Sequence, residues 1–120
     1  MNKLPLIAAM ALFSTLASAT EGDILNVTVR SVATIGTAFG QHLAGNFEVT
    51  FDGAYQLPTG VICDTMYFTT KRANDPDRLL FNMLLRAKEQ KLKIGVRVTD
   101  SAALQAYPGR CSIMSTGYSY

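Results

Sequence analysis

The chain has 120 residues, with 11 basic and 9 acidic side chains, a formal charge of +2 and 48% hydrophobic residues. Charge this balanced excludes the basic footprint of a nucleic-acid-binding surface, and the length suits one domain rather than several. Two cysteines and one histidine are too few for the ligand sets of ordinary structural zinc sites.

The first segment reads as a leader. Met1-Asn2-Lys3 is a short positive start, residues 4–16 form an uncharged apolar run, and Ala17-Ser18-Ala19 is a small-x-small cleavage site. The pattern predicts a signal peptide over residues 1–19, with Thr20 as the new N-terminus. The apolar run is shorter than the about 20 residues that a bilayer span needs. The residue directly after the cleavage site is Thr20 and not cysteine, so a lipid anchor is not expected, and no second long apolar run follows. The mature chain, residues 20–120, is therefore expected as a single soluble domain in the periplasm or outside the cell, without membrane insertion. In that oxidising setting Cys63 and Cys111 are expected to pair. Closing so long a loop is worth about 4 kcal/mol in the chain-entropy model.

Five strands and one helix follow in order. In the first strand, over residues 24–35, Leu25, Val27 and Val29 alternate with Asn26, Thr28 and Arg30. A glycine-rich loop spans residues 36–45. Phe47, Val49 and Phe51 mark a second strand that ends at the turn pair Asp52-Gly53. A third strand, over residues 61–70, is rich in β-formers and holds Cys63. The period then changes. Asp75 as N-cap, Pro76 in the first helical position and Asp77 in the first turn predict a helix over residues 76–90, with Lys88 and Lys91 near its end. Leu79, Leu80, Met83, Leu84 and Ala87 give that helix an apolar stripe. Leu92, Ile94, Val96 and Val98 mark the fourth strand, and residues 110–118, with Cys111 and Ile113, the fifth.

The order β-β-β-α-β-β is that of a mainly β domain with one α-helix. A five-stranded barrel of the oligonucleotide/oligosaccharide-binding type, capped by the helix, hides its apolar face. A flat sheet with the helix laid across it does so as well, and strand alternation does not separate the two.

Chemical signals are sparse. His42 stands alone in the glycine-rich loop and reads as a surface residue before a general base. Asp75-Pro76-Asp77 and Asp100-Ser101 read as cap and turn chemistry, and there is no nucleophile elbow or phosphate loop. The expectation is a non-enzyme with no cofactor and no metal. Phe81 and Leu85 fall away from the apolar stripe of the helix, which makes them candidates for a subunit contact; a helix buried across a wider arc explains them equally. Phe39, Tyr55, Tyr107, Tyr118 and Tyr120 gather in loops and tail, where they suit sugar rings or the ordinary edges of a β protein.

The run Cys63-x-x-x-Tyr67, Phe81-x-Met83-Leu84-x-x-Ala87, Ile94-x-Val96-x-Val98 and Cys111 resembles the B subunits of subtilase cytotoxin and of the typhoid-toxin type, together with small exported bacterial proteins of the same plan. The resemblance implies a barrel of the oligosaccharide-binding type, often a ring of five in which the helix lines a central pore. It also implies an outer barrel surface that binds sialylated glycans, and a disulfide matching the Cys63–Cys111 pair. The toxins use a serine on the first strand with polar neighbours; the comparable stretch here offers Asn26, Thr28 and Ser31 as ligand-binding candidates. Two functions are expected on this basis. One is an exported non-catalytic module for a glycan or protein ligand. The other is a stand-alone periplasmic protein of the same fold, with a structural or envelope role and no lectin site.

Overall fold

Alternation in the second strand is carried straight into the core. Strand β2 (Phe47–Asp52) buries Phe47, Val49 and Phe51 and turns Glu48, Thr50 and Asp52 to the other face. The structure is a computed structural model that describes residues 19–118; residues 1–18, which hold most of the expected leader, and Tyr120 lie outside the described residues. Around β2 stand β1 (Glu21–Thr34), β3 (Asp64–Thr70), α1 (Leu79–Gln90), β4 (Ile94–Thr99) and β5 (Arg110–Gly117).

The strands close into a barrel in the order β1-β2-β3-β5-β4. Strand β4 pairs with β5 on one side and returns to β1 on the other, which rules out the flat sheet. The β3–β5 pairing is parallel and the other four are antiparallel. Such order and closure are those of the oligosaccharide-binding barrel, with the helix in the connection from β3 to β4. Leu84 and Ala87 are fully buried against the barrel core, and Phe81 meets Phe47 edge-on at 5.4 Å.

The disulfide joins Cys63, one residue ahead of β3, to Cys111 in β5, with Cα atoms 5.4 Å apart. It reinforces the parallel junction, where the Asp64 amide also donates to the Gly109 carbonyl at 2.8 Å. Among the described residues no helix is long and apolar enough to cross a membrane.

Three expectations change. Alternation in β1 breaks at Asn26, whose φ of 58° places it in the left-handed region at a bulge between Ile24 and Val27. The extra residue shifts the parity, so Ile24 enters the core and Leu25 is half exposed. Asparagine tolerates that conformation better than most residues.

The helix begins at Leu79, three residues later than expected, because Arg78 also adopts a left-handed conformation with φ 59°. Asp75 still serves the helix start from outside it. Its carboxylate accepts the Leu80 amide at 3.0 Å and the Phe81 amide at 2.9 Å.

The apolar stripe is rotated as well. Leu80, Phe81, Leu84 and Ala87 face the barrel, Leu85 is half-buried, and Leu79 and Met83 point outward, Leu79 being 70% exposed. The large Phe81 ring fills the barrel end, and that decides which arc of the helix turns inward.

Candidate ligand-binding face

The outer face of β1 and β2 is built by pairing register. Thr28 lies opposite Asp52 and Ser31 opposite Thr50, on the side away from Val49 and Phe51. A second bulge, between Val29 and Ser31, leaves Arg30 exposed between these pairs. The Arg30 Nε donates to Asp52 Oδ1 at 2.6 Å, while its side chain stays two-thirds exposed. The Ser31 and Thr50 hydroxyls are hydrogen-bonded to each other.

Arg30 divides two open grooves of about 300 Å³ each. One is lined by Arg30, Thr50, Gly53, Tyr55, Thr65 and Met66. The other runs past Thr28 and Asp52 toward Lys88 and Lys91 at the helix end. Tyr55 forms a wall of the first groove. Its ring packs on Phe51 and Phe68 at 6.1 Å, and its hydroxyl donates to the Thr65 carbonyl. Burial pushes the Tyr55 phenol above its ordinary value, opposed by the Arg30 charge and helped less by Asp64, so it stays a neutral donor. An aromatic wall, a guanidinium and several hydroxyls on one rigid face form a set that can hold a polar ring.

Of the expected ligand residues, Thr28 and Ser31 come together on this face. Asn26 sits apart at its bulge, between residues that pair with β4. Sequence reasoning missed Arg30 and Thr50 as members, since each looked like the outward half of an alternating strand. The sequence marks Tyr55 among the loop aromatics but does not place it on this face.

A second cluster packs Glu48 between His42 and Arg110. His42 Nδ1 lies 3.2 Å from Glu48 Oε1, and Arg110 Nη1 donates to Glu48 Oε2 at 2.7 Å. The Arg110 guanidinium stacks over Tyr107 at 3.9 Å and Tyr67 at 4.4 Å. The His42 ring stands between Phe39 and Tyr107, at 4.7 and 4.6 Å. His42 is therefore half-buried in a loop clasp and not a plain surface residue. Its groups already satisfy one another, which makes this cluster a fastening between two loops and β2.

On the outward side of α1, Leu79, Asn82, Met83, Arg86 and Tyr118 line a groove of about 410 Å³, and the Tyr118 hydroxyl donates to the Met83 carbonyl at 2.6 Å. Of Phe81 and Leu85, candidates for a subunit contact or for a helix buried across a wider arc, Phe81 packs on the barrel core and Leu85 is half-buried. Among the described residues no group of three or more His, Cys, Asp or Glu side chains could hold a metal ion. Comparison with known proteins gave no match, whether to a family model, a curated protein or a solved structure.

Proposed function

We propose that the chain is an exported, non-catalytic binding module, similar to the glycan-binding B subunits of bacterial toxins, whose ligand lies across the outer face of β1 and β2. One observation carries this reading: the half-free guanidinium of Arg30, the Thr50 hydroxyl and the Tyr55 ring converge on one open groove beside Thr28 and Ser31. Sugars are held by such combinations, with C–H faces on aromatic rings and hydroxyls on charged or hydroxylic partners. The Cys63–Cys111 disulfide is compatible with export, since such bonds persist in oxidising compartments. Assembly as a ring belongs to the same reading, with the exposed Leu79 and Met83 on α1 as the contact surface in place of Phe81 and Leu85.

The test is a glycan array probed with the oxidised protein and with Arg30→Gln and Tyr55→Ala variants, alongside the mass in solution by light scattering. Binding to a restricted glycan set, weakened in both variants, supports the reading. A folded protein that binds no glycan on the array counts against it.

A second reading has its own support. Arg30 is already paired with Asp52, and Ser31 with Thr50, so the face is partly self-satisfied. That favours a stand-alone periplasmic protein with a structural or envelope role. A monomer in solution that ignores the array points there.

A further inference from the structure

We propose that removal of the leader after Ala19 creates a structural ion pair, in which the freed α-ammonium of Thr20 docks on the Asp100 carboxylate and locks the segment ahead of Cys63. This rests on the export reading, because it needs cleavage at that bond.

The receptor is already formed. The Thr20 nitrogen donates to Asp100 Oδ1 at 2.8 Å, and the Ile62 amide donates to Asp100 Oδ2 at 3.0 Å. The Thr20 carbonyl accepts the Asp100 amide at 3.1 Å and the Thr99 hydroxyl at 3.0 Å. Three distant segments therefore meet at one carboxylate: the start of β1, the strap of residues 58–62 and the end of β4. Gly22 belongs to the same junction, since a Cβ there would collide with the Pro58 ring. Ala19, on the leader side of the bond, is exposed.

Charges nearby leave the pairing open. The Glu21 carboxylate is occupied by Arg97 at 2.8 Å, and Asp23 by the same guanidinium at 3.1 Å, so neither competes for the ammonium. The amides of Ile62 and Thr20 also hold the Asp100 carboxyl below the usual carboxylate range.

Hydrolysis changes what the Thr20 nitrogen can offer. The water hydroxyl adds to the Ala19 carbonyl carbon, which leaves as a carboxylate. The Thr20 nitrogen keeps the electron pair of the broken bond and takes up two protons from that water. An amide with one N–H becomes an ammonium with three, and a hydrogen bond charged only on its acceptor side becomes charge-assisted on both. The precursor lacks this ammonium, so the strap that leads into the disulfide is fully secured only in the processed chain.

The test uses the full chain expressed with its own leader and recovered after export. Four proteins are compared: wild type, Asp100→Asn, an insertion of Gly-Ser between Ala19 and Thr20, and the combination. The insertion keeps a free amine but moves it away from Asp100. Intact mass first establishes where each product begins. The expected result is a wild type starting at Thr20 that melts about 2–4 °C above the insertion, the scale of one partly exposed ion pair in a domain of this size. In the Asp100→Asn background that difference disappears. Amine acylation near neutral pH gives a second readout, with the Thr20 amine of wild type reacting about threefold more slowly than that of Asp100→Asn. Equal melting of wild type and insertion, or a difference that survives Asp100→Asn, overturns the ion pair while leaving export intact. A product that begins at another residue overturns the cleavage reading, and the ion pair with it.

Discussion

Replacing Asp75 with alanine removes a side chain that fastens the start of α1. Asp75 is 5% exposed, and its two oxygens take the Leu80 and Phe81 amides at 3.0 and 2.9 Å. Deleting an ordinary N-cap costs about 0.5–2 kcal/mol, and a hydrogen bond to a charged group is worth about 1.5–3 kcal/mol. Partial hydration of the two freed amides offsets some of that loss, which leaves about 2–3 kcal/mol for Asp75→Ala. In a domain of this size that lowers the melting temperature by on the order of 10 °C. Asp75→Asn keeps one carbonyl acceptor and loses about half as much. Asp77→Ala, in the exposed turn where the sequence suggests helix, costs less than about 0.5 kcal/mol. Urea denaturation of the oxidised proteins, followed by circular dichroism, measures all three. A loss for Asp75→Ala as small as that for Asp77→Ala would refute the reasoning about how the helix is started.

Other outcomes follow from the same geometry. Cys63→Ser opens the bridge and costs about 2–5 kcal/mol, read as a lower urea midpoint than oxidised wild type. Phe81→Ala destabilises the monomer by about 2–3 kcal/mol, because the ring packs on Phe47 and the core. Leu79→Asp and Met83→Asp leave the urea midpoint nearly unchanged, and they disperse any ring measured by light scattering. The Asp100 carboxyl titrates lower in the folded chain than in the unfolded one, through the Ile62 amide first and the Thr20 amide second. Its contribution is therefore present above the unfolded carboxylate range, near pH 4, and is lost as pH falls through the folded value. The urea midpoint of Asp100→Asn accordingly falls less steeply between about pH 5 and pH 2 than that of wild type.

The strands were legible wherever one face meets the core and the other does not. Phe47, Val49 and Phe51 announce β2, and the pairing of Cys63 with Cys111 is expected from their number and from the leader pattern in the sequence. Closure of the barrel was not legible, because it depends on β4 reaching β1, a pairing between residues such as Glu21 and Thr99 that no local pattern records. Left-handed residues caused the other departures. Asn26 and Arg78 each interrupt a periodic run without glycine or proline to mark the break. The arc of α1 that turns inward was decided by Phe81 against Phe47, a contact between distant segments. The candidate site was legible in part. Thr28 and Ser31 were found on the first strand, whereas Thr50, Tyr55 and Thr65 join them only through barrel pairing and the turn after β2. The clasp of His42, Glu48 and Arg110 was hidden for the same reason, with Glu48 and Arg110 separated by 62 positions.

The most direct measurement is a titration of the isotopically labelled, oxidised protein with the strongest glycan found on the array, followed through its backbone amide resonances. The account predicts saturable shifts at Arg30, Thr50, Tyr55 and Thr65, around the groove on the outer barrel face. Shifts confined to α1 or to the loop of residues 36–45, or no shift with any glycan, would contradict it.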